Sequence, residues 1–168
     1  MAIRRLSTKP KTTQQINREV GKAAEHEVAK ALSTIPGLVF ERIPDTATSM
    51  ALGGGTLPPR RGDFDGMYNN HYFIVEVKCT TQYIEPGQMP IKGTWKPGQL
   101  AAAMKWGTQG ACCISLIYLE KADMWCLANT TLLAREVQAG FNRVKNRGLV
   151  TRKEFRDVLQ DVFERWCK

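Results

Sequence analysis

Hydrophobic residues recur at helical spacing near the start of the chain. Positions 16, 20, 24, 28, 31 and 32 are Ile, Val, Ala, Val, Ala and Leu, and the residues between them are mostly polar or charged. This spacing places the apolar side chains on one face of an α-helix. We therefore predict a helix over residues 13 to 32, with Thr12 or Thr13 as its N-cap.

Short apolar runs bounded by turn residues predict strands further along the chain. Such runs cover residues 38 to 43, 111 to 119 and 124 to 128. Pro36-Gly37 sets off the first run, and a polar turn at 120 to 123 separates the other two.

Helical patterns lie between and after these strands. Pro97 suits the first turn of a helix that we expect to end near Gly107 or Gly110. Asn129 or Thr130 is predicted to cap a helix running through residue 137. A final helix is predicted from the capping-box pattern of residues 151 to 154.

A hairpin is predicted in the middle of the chain. Asn69-Asn70 lies between an acidic segment and an apolar run over residues 71 to 80. Because Asn tolerates positive φ, the pair suits a tight turn between antiparallel strands. Such a turn would fold Asp63 back toward Glu76 and Lys78.

The alternation of strand side chains collects charged groups on one face of this hairpin. Glu76 and Lys78 project together, and Asp63 and Asp65 likewise share a face. Burying these charges among Phe, Ile and Val costs free energy unless each charge has a partner. A divalent cation is the most economical partner for two carboxylates, and the lysine would orient a nucleophile or stabilise a transition state. The pattern therefore favours metal-dependent phosphodiester hydrolysis, which requires no serine or cysteine nucleophile.

At these residues the chain resembles the PD-(D/E)XK nuclease superfamily. Asp63 corresponds to the first acid, and Glu76-Val77-Lys78 to the E-x-K element. A helix with Gly21-Lys22-Ala23-Ala24-Glu25 precedes the first strand, and Pro97-Gly98-Gln99-Leu100 opens the next helix. This order is similar to Holliday junction resolvases of the archaeal and bacterial recombination types, and Asp63-Phe64-Asp65-Gly66 is similar to the D-Y-N-G segment of the bacterial group. The match covers roughly residues 14 to 128.

The resemblance implies a fold and a set of roles. The fold would be α/β with a restriction-endonuclease-like core, in which helices flank a mixed central β-sheet. Mg²⁺ is expected at Asp63 and Glu76, with the Val77 carbonyl as a third donor. Mn²⁺ is expected to substitute for Mg²⁺. Lys78 would be the catalytic lysine. Glu25 would be an acid on the first helix that reaches the metal through water or helps to position it. Gln99 would be a polar residue that supports the site, and Asp65 either an extra metal ligand or a solvated acid.

Some of these roles have plain structural alternatives. On a helical projection Glu25 and Glu27 fall at the two edges of the apolar stripe, so only the resemblance prefers Glu25. Gln99 would otherwise be an ordinary polar residue in the first turn of a helix. Trp95 and Trp106 either stack on nucleobases or serve in packing.

The chain is long enough for one domain with a hydrophobic core. It has 168 residues, 43% of them hydrophobic. We expect a flexible basic arm at 1 to 13, a single nuclease domain at 14 to 168, and a loop or stalk at about 44 to 62. The residues expected to contact DNA are Arg4, Arg5, Lys9, Lys11, Arg60, Arg61, Thr80, Lys92 and Lys96.

Charge and cysteine content limit the choice of partner and compartment. A formal net charge of +8 indicates a polyanionic partner. No apolar run approaches the roughly 20 residues that cross a bilayer, so no membrane association is expected. The five cysteines lack a C-x-x-C pair and are expected to be buried thiols, neither zinc ligands nor disulfides. We expect an intracellular protein that acts in the cytoplasm or nucleoid and is encoded by a cell or by a virus.

Together these features favour a DNA endonuclease of recombination and repair that cuts four-way junctions symmetrically as a homodimer. The nearest alternative is another nuclease of the same superfamily, such as a phage or restriction-type endonuclease or an exonuclease. A non-catalytic nucleic-acid-binding module is the alternative from a different class.

Overall fold

The computed structural model describes residues 12–44, 62–80, 89–91, 93–143 and 148–168. Most of the predicted basic arm and of the predicted stalk lies outside these ranges. The predicted DNA-contacting residues Arg4, Arg5, Lys9, Lys11, Arg60, Arg61 and Lys92 also lie outside them.

Across the described residues the strands form one six-stranded sheet in chain order. The strands are β1 (Leu38–Arg42), β2 (Phe64–Tyr68), β3 (His71–Thr80), β4 (Cys112–Leu119), β5 (Met124–Asn129) and β6 (Gly148–Thr151). Strands β3 and β4 run parallel, and every other neighbouring pair is antiparallel. The sheet is therefore mixed.

Helices cover both faces of this sheet. They are α1 (Thr13–Leu32), α2 (Pro97–Gly107), α3 (Thr130–Gln138) and α4 (Phe155–Trp166). The prediction of an α/β fold with a mixed central sheet flanked by helices is confirmed.

Among the α-helices in the described ranges, the N-termini follow the sequence at three of four. Thr12 caps α1 by accepting a hydrogen bond from the Gln15 N–H, and Asn129 caps α3 in the same way. Pro97 occupies the first turn of α2, as predicted. The predicted cap of the last helix is wrong: Thr151 belongs to β6 and bonds Glu154 within a turn, and α4 begins only at Phe155.

The two faces of the sheet hold separate parts of the core. Helices α1 and α4 pack on the face that carries Phe64, Phe73 and Val75. Helices α2 and α3 cover the opposite face, where Ile74 packs beneath Ala103. Even-numbered residues of β3 therefore point toward α2, and odd-numbered ones point toward α1.

The hairpin between β2 and β3 turns at the predicted asparagines. Asn69 and Asn70 have φ of 48° and 67°, the left-handed conformation of a two-residue hairpin turn. Gly66 in β2 lies close against β1: a Cβ atom there would be 2.0 Å from the Val39 carbonyl oxygen. The turn sets the register of β2 with β3, and the close approach at Gly66 packs β2 tightly against β1.

Candidate active site

Asp63 and Glu76 both lie at the open end of the hairpin. The ladder between β2 and β3 ends with the pair of Phe64 and Val75, which Asp63 directly precedes and Glu76 directly follows in the chain. The N–H of Asp63 donates to the Val75 carbonyl at 2.8 Å, and its carboxylate Oδ2 accepts from the Val77 N–H at 2.7 Å. The hairpin thus holds the two acids as neighbours through backbone contacts.

Both carboxylates are buried. Asp63 is 5% exposed and Glu76 is 6% exposed. Buried carboxylates lower stability unless hydrogen bonds or a cation compensate for the lost water. For Glu76 the compensation is Lys78, whose Nζ lies 2.6 Å from Oε1 of Glu76.

Gln99 joins this ion pair from the first turn of α2. Its Nε2 donates to Glu76 Oε1, and its Oε1 accepts from Lys78 Nζ at 3.1 Å. The same Oε1 accepts from the Lys96 N–H at 2.9 Å, a contact that fixes the side chain at the start of the helix. Gln99 therefore bridges the acid and the base and ties both to α2. We call Asp63, Glu76, Lys78 and Gln99 the hairpin site.

The Val77 carbonyl is directed to the Asp63 side of β3. A strand residue that forms a ladder pair directs its N–H and C=O to the same neighbour. Since the Val77 N–H reaches Asp63, its C=O faces the same edge. A backbone oxygen thus accompanies the two carboxylates, as a third metal donor would.

Cys79 directly follows Lys78 in β3, and its thiol is a poor nucleophile at neutral pH. Burial, and to a smaller extent the negative charge of Glu120, raises the pKa of Cys79 to about 11. The side chain is therefore protonated near pH 7, and protonated thiols react poorly.

Asp65, two residues after Asp63, has a different partner. Its Oδ2 accepts a hydrogen bond of 2.5 Å from the Tyr72 hydroxyl. The Tyr72 ring lies 5.8 Å from that of Trp106, near the C-terminal end of α2. Gln99 and Glu76 meet at the N-terminal end of the same helix. The structure thus brings Asp65 together with Tyr72, a partner that the sequence reading missed.

Glu25 lies on α1, on the other face of the sheet from Glu76. Its carboxylate forms an ion pair with the Arg42 guanidinium. Arg42 pairs with Phe64 in the sheet, so Glu25 lies at the same end of the hairpin as Asp63. Glu27 instead accepts hydrogen bonds from Trp125 and Arg152. Of the two helix acids that periodicity left open, Glu25 is the one near the Asp63 end.

Two predicted DNA-contacting residues fall among the described residues. Thr80 ends β3, two residues after Lys78. Lys96 is exposed and directly precedes α2, with its N–H bound to Gln99. Both therefore lie beside the hairpin site in the chain.

The donors of the hairpin site suit Mg²⁺ in kind and number. In the described parts of the chain, no group of three or more His, Cys, Asp and Glu side chains forms a ready metal cage. Mg²⁺ is usually held by one or two carboxylates, waters and substrate phosphates, without a cage built wholly from protein. Two neighbouring carboxylates with a backbone oxygen beside them match that requirement, whereas they would leave zinc without its usual Cys and His ligands.

Comparisons with known proteins give likenesses to solved structures and none to a protein family or a curated protein. No protein-family model matches the chain, and no curated protein matches it. A solved structure that it resembles is that of Archaeoglobus fulgidus Hjc, a Holliday junction resolvase from an archaeal hyperthermophile. The identity is 14%, the TM-score is 0.45, and the alignment covers 83% of this chain and 93% of the other. Among the described residues, no helix is long and apolar enough to cross a membrane.

Proposed function

We propose that the chain is a metal-dependent endonuclease that hydrolyses DNA phosphodiesters. The observation that carries the proposal is the hairpin site: a buried acid pair with a lysine and a glutamine bound to one of the acids. The ammonium of Lys78 and the carboxylates of Asp63 and Glu76 suit the hydrolysis of a negatively charged phosphodiester.

Asp63 and Glu76 would hold Mg²⁺ or Mn²⁺, with the Val77 carbonyl as the third protein donor. When bound, the ion supplies a water of lowered pKa and neutralises charge on the phosphate. Every other task falls to side chains of the hairpin site.

Lys78 would provide a directed positive charge. Its ammonium has three N–H groups, of which Glu76 and Gln99 engage two. We assign the third to a phosphate oxygen or to the attacking water. Gln99 keeps the ammonium from rotating away, because its carbonyl oxygen is itself anchored by Lys96.

Within this class, we propose four-way DNA junctions as the substrate and a homodimer as the acting form. Symmetric cutting of a junction requires two equivalent sites, which a two-fold dimer supplies. The net charge of +8 supports a polyanionic partner. The resemblance of the hairpin and its flanking segments to junction resolvases supports the branched substrate over linear DNA.

The decisive experiment compares the cleavage of a labelled four-way junction, linear duplex, single strand and flap, with Mg²⁺ and with a chelator. We expect metal-dependent, paired cuts in the junction. Asp63→Asn should abolish cleavage while junction binding persists. Asp65→Asn is the matched control, because it removes one charge two residues away, from a carboxylate that Tyr72 binds, and should leave cleavage intact.

Two outcomes would overturn parts of this proposal. If the wild-type protein binds the junction but never cuts any substrate with Mg²⁺ or Mn²⁺, the chain is a binding module. If it digests linear duplex as well as the junction, another nuclease activity of the same superfamily replaces the resolvase.

A further inference from the structure

A buried polar side chain lies next to Glu76 in the sheet. Ser115 of β4 pairs in register with Glu76 of β3, and neighbouring strand residues in register share a face. Ser115 is 0% exposed. It is a hydroxyl in an otherwise apolar stretch of β4, so its hydrogen bonds decide whether it stabilises the fold or destabilises it.

Ser115 bonds to the two segments that lead into α2 and α3. Trp95, two residues before α2 begins, donates its Nε1–H to Ser115 Oγ at 3.0 Å. Thr130, the first residue of α3, lies with its Oγ1 2.8 Å from the same Oγ. A serine hydroxyl can accept from the indole and still donate to the threonine, so the three groups satisfy one another.

This buried set borders the hairpin site. The first turn of α2 holds Gln99 against Glu76 and Lys78, and Trp95 lies directly before the Lys96 that caps that turn. Thr130, Glu76 and Gln99 also line one small cavity of about 10 Å³. The position of Gln99 over the ion pair therefore depends on how Trp95 and Thr130 are anchored to β4.

We propose that Ser115 is a positioning residue of the hairpin site. By binding Trp95 and Thr130 it sets the distance between the first turn of α2 and β3, and thereby keeps Gln99 in contact with Glu76 and Lys78. The proposal rests on the proposed nuclease function.

The test compares two buried hydroxyls. Ser115→Ala removes the anchor, whereas Thr131→Val removes a buried hydroxyl that bonds the Ala103 carbonyl farther along α2. Ser115→Ala loses its bonds with Trp95 and Thr130, and Thr131→Val loses its bond with Ala103, so both variants should lose stability. Only Ser115→Ala should slow single-turnover junction cleavage, by about tenfold, with the Kd for the junction unchanged within about twofold.

A double-mutant cycle tests whether Ser115 acts through Gln99. In a Gln99→Ala background, Ser115→Ala should produce no further slowing, because the contact that it positions is already lost. Equal slowing in both backgrounds, or a wild-type rate for Ser115→Ala, overturns the proposal. Should Ser115→Ala fail to fold, Thr130→Val makes the same comparison from the other end of the bond.

A measurement without DNA separates this proposal from the proposed function. The side-chain amide signals of Gln99 in an NMR spectrum report its contacts with Glu76 and Lys78. They should move in Ser115→Ala and stay in place in Thr131→Val. If the wild-type protein cuts no DNA but the signals move as expected, the nuclease function fails and the positioning role stands. Unmoved signals refute the positioning role even if the protein is a nuclease.

Discussion

The backbone N–H of Val77 donates a 2.7 Å hydrogen bond to the carboxylate of Asp63. The bond extends the pairing of β2 with β3 by one residue through a side chain. Asp63 therefore has a structural task as well as its proposed task as a metal ligand.

Two substitutions at Asp63 separate these tasks. Asn retains an oxygen that can accept from Val77, so Asp63→Asn should lose cleavage and metal binding while its unfolding free energy stays within about 0.5 kcal/mol of wild type. Asp63→Ala should lose cleavage and also about 1–3 kcal/mol of stability. Urea unfolding and calorimetric titration with Mn²⁺ measure the two effects. Equal destabilisation by both variants would contradict the structural role of the Val77 bond.

Replacing Lys78 should abolish catalysis and leave DNA affinity nearly intact. Lys78→Met keeps the apolar stem and removes the charge that contacts Glu76 at 2.6 Å. We expect cleavage to fall by about 100-fold or more, because a directed charge in a buried site stabilises the transition state strongly. Lys105→Met, on the exposed side of α2, is the control for the loss of one positive charge. A similar loss of cleavage in both variants would argue against a special role for Lys78.

The two glutamates of α1 should respond differently to amide substitution. If Glu25 acts at the Asp63 end of the hairpin, Glu25→Gln lowers cleavage by about tenfold or more. Glu27→Gln, which weakens contacts with Trp125 and Arg152, should cost about 1 kcal/mol of stability and spare cleavage. Rates on the junction and urea midpoints for both variants provide the check. The reverse pattern would assign the helix acid to Glu27.

Gly66 should be irreplaceable for steric reasons. A Cβ atom there would be 2.0 Å from the Val39 carbonyl oxygen and 2.7 Å from the Phe40 Cα, so β1 must move to admit alanine. We expect Gly66→Ala to destabilise the protein by about 1–3 kcal/mol. Gly21→Ala, with nothing within 4 Å in the middle of α1, should raise stability by about 1 kcal/mol. Thermal unfolding of both variants tests the contrast.

Local patterns predicted most of the fold. The apolar spacing of α1, the Asn69-Asn70 turn and Pro97 each depend on neighbours in sequence, and each produced the expected element. Strand β6 was missed, because four residues at the edge of a sheet contain too little alternation to indicate a strand. The same omission misplaced the start of α4, since Thr151 looked like a cap and is a strand residue.

Strand alternation also placed Glu76 and Lys78 on one face, which required no tertiary information. The partners of the remaining acids could not be predicted in this way. Asp65 meets Tyr72 across the hairpin, and Glu25 meets Arg42 between a helix and the edge strand. Such contacts depend on how elements pack, and alternative partners of equal chemistry are common in the sequence. For Ser115 the sequence offered a different signal, namely a serine within the apolar run of β4.

Because β3 and β4 are parallel, the chain must return over one face of the sheet to begin β4. Helix α2 belongs to that crossover connection. All four members of the hairpin site consequently fall within one continuous stretch, residues 63 to 99. The strands and helices encoded outside that stretch supply no member of the group. The side chains of the site are thus local in the sequence, whereas the hydroxyls that anchor the start of α2, those of Ser115 and Thr130, come from a later part of the chain.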